Sequence, residues 1–381
     1  MVRATFSFPT PIHFGPGVRR DAGRHLLSQG VRRPLLVTDK GLAALPLPGE
    51  LLDSLRAASL EPALFSDVAG NPAESQVAAG AAAYRAHGAD GIMGLGGGAA
   101  LDVAKAVAVM ATHPGSLFEY EDGRPDARPI DREIPYWVAV PTTAGTGSEV
   151  GRSAVISDDV THVKKIVFSP RLLARAVFAD PEVTLGLPAR VTAATGMDAL
   201  THCIEAYLAK DYHPICDGIA LEGLRLAARA LPRCVEAPKD VQARSDMMMA
   251  SMMGAIAFQK GLGLVHSCAH ALSTVADLHH GLANGVMIDR ALRFNLETSE
   301  EKFQRMAEVA GIADHTGEGF LRWLGELKSR IGIPAHLGAA GVDRGAVDRL
   351  SALAFQDTCH LNNPRPCREE DFRRIYAESF A

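Results

Sequence analysis

Two kinds of hydrophobic pattern divide the chain. In the first half, short apolar runs of strand length alternate with helical stretches. Leu35, Leu36, Val37 and Thr38 form a run typical of a buried strand, closed by Asp39. A helical stretch around residues 49–58 follows, and Ala63, Leu64 and Phe65 read as the next strand. Asn71-Pro72-Ala73-Glu74 predicts a helix to about His87, with Asn71 as N-cap and Pro72 in the first turn. Residues 91–95 read as a strand broken by three glycines, 99–111 as a helix and 136–140 as another strand. The opening MVRATFSFPTPIHFGPG alternates like a strand. This rhythm predicts a parallel sheet flanked by helices. From about Leu187 the pattern changes to Ala-, Leu- and Met-rich helical periodicity. The methionines of DMMMASMMGAIA, residues 246–257, are expected to fill a helical core.

The length of 381 residues exceeds what one core sustains, so two domains are expected, 1–186 of α/β type and 187–381 all-helical. Acids and bases are interspersed, with net charge -5 and no basic stripe, which argues against a nucleic-acid partner. The N-terminus lacks the apolar core of a signal peptide, and no run of about 18 apolar residues offers a membrane span. None of the six cysteines forms a C-x-x-C pair, which suits a reduced cytoplasm and not a cysteine zinc site.

Candidate chemistry falls in three places. Gly96, Gly97 and Gly98 lie between a strand and a helix, where backbone N–H groups and the helix dipole suit an anion such as a pyrophosphate. PTTAGTGSE, residues 141–149, follows a strand at the sheet edge where ligands of α/β folds bind. Asp198 and His202 stand four apart, as do His266 and His270, and His279 and His280 precede Gly281. Fourfold spacing puts each pair on one helix face. One carboxylate with several imidazoles suits a divalent first-row metal.

Taken in order, the GGG-x-x-x-D-x-x-K run, PTTAGTGSE, GMDALTHCIEAY, GLGLVHSCAH and HHGLANG resemble the signatures of the iron-containing alcohol dehydrogenase family over nearly the full chain. The resemblance implies an N-terminal α/β dinucleotide-binding domain, an all-helical metal-binding domain, and a cleft holding cofactor and metal. It implies a metal-dependent NAD(P) alcohol dehydrogenase acting on a small primary alcohol and its aldehyde, as a homodimer or larger homo-oligomer. The implied ligands of Fe2+, Zn2+ or another divalent ion are Asp198, His202, His266 and His280, with His280 preferred to His279 because the family ligand directly precedes Gly. His270 resembles the histidine that faces substrate and nicotinamide. Gly96, Gly97 and Gly98 would cradle the pyrophosphate, Asp102 would reach the nicotinamide side, and Thr142, Thr143 and Thr146 would line the cofactor. Lys165 resembles the lysine near the cofactor ribose, and Asp39 the acidic residue at the adenine ribose that favours NAD over NADP. Ala99 departs from the usual serine, removing one phosphate contact. A metal-free maleylacetate reductase shares the motif order but tends to lack the aspartate, which is present here as Asp198.

Overall fold

The computed structural model describes residues 10–380, which form two compact units. Residues 1–9, and with them most of the alternating N-terminal run, lie outside the described residues.

One unit comprises residues 10–143 and 147–184. Its sheet contains β1 (Ile12–Phe14), β2 (Pro34–Asp39), β3 (Ala63–Val68), β4 (Gly91–Gly96), β5 (Tyr136–Pro141) and, later in the chain, β8 (Ala176–Ala179). All pairings are parallel, in the order β1-β8-β5-β4-β2-β3. The connecting helices are α1 (Ala22–Ser28), α2 (Lys40–Ala43), α3 (Pro46–Ala57), α4 (Glu74–His87) and α5 (Gly98–Thr112). Alternation along each strand decides which helix covers which face. Leu36, Met93, Leu95, Val138 and Val140 pack with Ala22 and Leu26 of α1 and with Leu51 and Leu55 of α3. Gly94 points to the other face, where a Cβ would stand 2.9 Å from Leu101 and 3.1 Å from Ala104 of α5. A separate antiparallel hairpin, β6 (Ser153–Ser157) with β7 (Lys164–Phe168), completes the unit.

The start of α4 differs from expectation. Its N-cap is Ala73, not Asn71, with Gln76 Oε1 accepting from the Ala73 N–H at 3.3 Å. The Pro72 carbonyl accepts from Ser157 N at 2.7 Å and Ala73 bridges to Ser157, so pairing with β6 holds this backbone extended. That tertiary contact overrides the local Asn-Pro cue.

The other unit, residues 144–146 and 185–380, is helical. Its helices are α6 (Ala189–Leu208), α7 (Pro214–Glu236), α8 (Val241–Ala257), α9 (Leu264–Ala276), α10 (His280–Arg293), α11 (Leu296–Ala310), α12 (Gly317–Arg330), α13 (Val347–Gln356) and α14 (Glu369–Glu378). α6 is buried on nearly every side and runs through the core. Met247, Met248 and Met252 of α8 are buried, as their helical spacing requires. Among the described residues no single helix is long and apolar enough to cross a membrane.

Candidate metal centre and cofactor turn

Three helices of the helical unit bring ionisable side chains to one point. α6 presents Asp198 and His202 one turn apart, α9 presents His266, and His280 opens α10. The Nε2 atoms of His202, His266 and His280 lie 3.8, 3.7 and 3.3 Å from Asp198 Oδ1. His279 is exposed. The approach of α10 to α6 is close enough that only glycine fits after His280. A Cβ on Gly281 would lie 2.3 Å from the Ala194 carbonyl oxygen and 3.3 Å from Asp198 Cβ.

Two residues absent from the sequence reading complete the centre. Asn284, one turn beyond His280, donates from Nδ2 to Asp198 Oδ1 at 2.8 Å. Glu205, on α6, takes His266 Nδ1 at 2.6 Å and also accepts from the backbone N–H groups of Val265 and His266. A carboxylate on the far nitrogen orients a metal-binding imidazole and fixes its tautomer. Glu205 is seven residues past Asp198, hence on the same helix face, which is the signal that could have found it.

Electrostatics follow from burial. Desolvation pushes His202 down to about 4 and His280 down to about 3, so both rings are neutral at pH 7. Burial also opposes charge on His266, but its bonds to Asp198 and Glu205 win and push it up to about 9. Burial would raise the Asp198 carboxyl, yet the surrounding imidazoles hold it well below the usual carboxylate range.

This arrangement suits a cation. Asp198, His202 and His266 offer ligand atoms that all lie within 4.8 Å of one another, and His280 Nε2 adds a fourth at 3.3 Å from Asp198 Oδ1. Nδ1 of His202, Nδ1 of His280 and Oδ1 of Asn284 are buried without a hydrogen-bond partner. Buried polar atoms are ordinarily paired; the Nε2 atoms of His202, His266 and His280 instead converge on one buried carboxylate oxygen, the donor set a divalent cation takes.

His270 lies one turn past His266, its ring stacked on His280 with centroids 5.2 Å apart. Its Nδ1 is 2.7 Å from Asp357 Oδ2. Burial would raise the Asp357 carboxyl, but His270 and the donors around it hold it well below its ordinary value.

In the sheet unit, β4 ends at Gly96, whose φ is +150°, and α5 begins at Gly98. A Cβ at Gly96 would stand 2.6 Å from that of Ala100, and one at Gly97 would stand 3.1 Å from Thr143 Oγ1. Gly97 caps α5 with no side chain, leaving the first-turn N–H groups without a side-chain cap. Thr142 donates its N–H to the Gly96 carbonyl at 3.0 Å. Asp39 accepts from Leu42 N at 2.8 Å through Oδ1, capping α2, while its Oδ2 lies beside Gly96.

Asp102 and Lys165 are engaged within the chain. Asp102 accepts from Ser148 Oγ at 2.6 Å, Lys105 Nζ at 3.2 Å and Val155 N at 3.0 Å, fastening the 148–155 segment. Lys165 pairs with Asp158 at 3.0 Å and lies over the Phe118 ring. Thr146 belongs to the segment grouped with the helical unit, where the neighbouring Gly145 carbonyl accepts from Ser251 Oγ at 3.1 Å. Arg152 lies across the Phe168 ring at 5.4 Å.

Comparison with known proteins places the chain in a family. Residues 9–181 match the family described as iron-containing alcohol dehydrogenase, and residues 192–380 match the C-terminal part of the Fe-containing alcohol dehydrogenase family. The chain is 42% identical to 4-hydroxybutyrate dehydrogenase of Cupriavidus necator, over 92% of this chain and 93% of that one. A crystal structure of 1,3-propanediol oxidoreductase superposes with a TM-score of 0.94 at 37% identity, covering 99% of this chain and all of that one. Sulfoacetaldehyde reductase from Bifidobacterium kashiwanohense, in complex with NAD+, superposes at 0.90 with 26% identity, over 100% and 99% of the two chains. The chain belongs to the iron-containing alcohol dehydrogenase family. It is an NAD(P)-dependent oxidoreductase that interconverts an alcohol and its aldehyde.

Proposed function

We propose that Asp198, His202, His266 and His280 hold a divalent cation, Fe2+ or Zn2+, and that the enzyme works on a small primary alcohol with NAD(H) in preference to NADP(H). The convergence of three imidazole Nε2 atoms on Asp198 Oδ1 carries this reading. When bound, the cation polarises the alcohol or carbonyl oxygen and the nicotinamide exchanges the hydride.

The chain's own groups do the rest. Asp198 contributes the single negative charge of the ligand set, so the centre keeps a net positive charge. Glu205 orients His266. His270 takes the alcohol proton at Nε2, through a water, and passes it outward. Gly96, Gly97 and Gly98 admit the pyrophosphate to the first turn of α5. The Asp39 carboxylate, beside that turn, repels a 2′-phosphate. Thr142, Thr143 and Thr146 offer hydroxyls along the cofactor, while Asp102 and Lys165 order the segments that border it. The relatives named for 4-hydroxybutyrate and 1,3-propanediol point to a short chain with a terminal hydroxyl and a second polar end. Six free thiols suit the reducing cytoplasm, and a homodimer or larger homo-oligomer is the proposed assembly.

The test is a panel of short hydroxy acids, diols and aldehydes, assayed with NAD(H) and NADP(H) on metal-reconstituted protein. Turnover that requires added metal and favours NAD(H) is expected. Full activity in metal-free protein, checked by elemental analysis, overturns the ligand assignment.

A further inference from the structure

We infer that Asp357 is a positioning residue that fixes His270 as the Nδ1–H tautomer and so makes Nε2 its proton-accepting nitrogen. The effect on turnover rests on the proton-relay reading above; the tautomer itself rests only on the hydrogen-bond network.

α9 carries two histidines one turn apart, and each has its Nδ1 gripped by a carboxylate from another part of the chain. For His266 this is the deeply buried Glu205, and for His270 it is the partly exposed Asp357. Asp357 ends α13 and leads into the 359–362 turn. Its Oδ1 accepts from Ser267 Oγ at 2.7 Å and from the Cys359 N–H at 2.9 Å. Ser267 Oγ accepts in turn from the His360 N–H at 3.0 Å, so the hydroxyl hydrogen is free to point at Asp357. With Oδ1 committed twice, Oδ2 faces His270 Nδ1 at 2.7 Å. An ionised carboxylate only accepts hydrogen bonds, so Nδ1 must carry the hydrogen. A neutral imidazole has one N–H, which leaves Nε2 as the acceptor. Donor atoms of His270, Asp357 and Cys359 also lie within 4.8 Å of one another, as metal ligands would. Both Asp357 oxygens are already bonded within the chain, which favours the hydrogen-bond network over a second cation.

The network makes Asp357→Asn a sharp probe. The Cys359 N–H is an obligate donor and Ser267 donates beside it, so the new amide must turn its oxygen to them. Its NH2 then faces His270 Nδ1 and drives the hydrogen to Nε2. The same exchange in the catalytic triad of serine proteases leaves geometry intact but imposes the wrong tautomer.

The experiment uses zinc-reconstituted protein with 15N-labelled histidine rings, the His270 signals being those lost in His270→Ala. In the unmodified protein, two-bond couplings are expected to show hydrogen on Nδ1 of His270, and in Asp357→Asn on Nε2. The variant should also lose roughly a hundredfold in kcat, within the range general acid–base groups contribute, with metal content and cofactor KM within about twofold. Hydrogen on Nε2 of His270 in the unmodified protein overturns the inference, even should the variant fail to fold. An unchanged tautomer in folded Asp357→Asn overturns it as well. A switched tautomer with unchanged kcat supports the positioning role while overturning the relay reading, and full kcat in His270→Ala overturns that reading separately.

Discussion

The two units build their candidate sites from opposite materials. The helical unit uses side chains: a buried carboxylate and three imidazoles, each needing compensation for lost solvent. Asn284 and Glu205 supply it, as do the imidazoles' own bonds to Asp198. The sheet unit uses backbone: a turn of glycines whose virtue is the absence of side chains, opening the first turn of α5. A side-chain site should therefore fail when chemistry changes at constant shape. A backbone site should fail when shape changes at constant chemistry.

The largest effect tests the first half of that contrast. Asp198→Asn keeps the shape but removes the only carboxylate of the proposed ligand set. Metal should be lost and kcat should fall by more than about a hundredfold, as expected when a catalytic metal's support goes. Elemental analysis beside the assay checks it, and metal retained at full stoichiometry would break the comparison. Gly96→Ala makes the converse change, adding one methyl at a φ of +150° and 2.6 Å from Ala100 Cβ. Forced overpacking costs about 1–3 kcal/mol. The cofactor KM should rise by roughly tenfold or more, the kinetic equivalent of that cost, while metal content stays unchanged.

Asp39 belongs to both kinds, since it caps α2 and carries a charge beside the glycine turn. Asp39→Asn keeps a capping oxygen and removes the charge, since Asn and Asp are near-equal caps. Melting should be unaffected and the proposed preference for NADH over NADPH should fall by a few-fold to about tenfold, on the scale of a single charge contact. Unchanged preference would leave Asp39 as a cap only. The smallest effect concerns Glu149, buried in the sheet unit, where desolvation pushes its carboxyl up to about 7 from the ordinary 4.5. Between those values the folded chain keeps a proton that the unfolded chain has lost, so stability falls as pH rises through the window. Glu149→Gln should therefore flatten the pH dependence. Its melting temperature should exceed that of the unmodified protein by a few degrees at pH 8, with little difference at pH 4.5. A parallel pair of pH curves would show that the carboxyl titrates as it does in water.

The same contrast explains what could be read from the sequence. Strands β2, β4 and β5 of the parallel sheet were legible because buried runs such as Leu35–Val37 are continuous, β3 because its short apolar run stands between helical stretches, and the helical unit because its periodicity persists; β8, only four residues long, was not singled out. Asp198 with His202 was legible because the pair shares one helix turn, and the glycine turn because three glycines interrupt a strand. Glu205, Asn284 and Asp357 were not singled out, although Glu205 stands at helical spacing from Asp198 and Asn284 from His280. Their partners lie 61, 86 and 87 residues away, beyond any local spacing. The α4 cap was misplaced for a related reason, since Asn71-Pro72 is a sound local cue that a bridge from Ser157 displaces. In the β6–β7 hairpin, β7 exposes Ile166 and Phe168 and so lacks the continuous buried run that revealed β2, β4 and β5.

The seat of Gly281 against the Ala194 carbonyl has a consequence for how fast the centre can be emptied and refilled. Backbone in contact with backbone leaves no compliant side chain through which α10 could roll or slide on α6. The helices are thus expected to stay in place whether or not the proposed cation is bound, with only side-chain adjustments remaining. Reloading should then show a single second-order phase, proportional to metal concentration. Gly281→Ala, by wedging the pair apart, should add a slow, concentration-independent step.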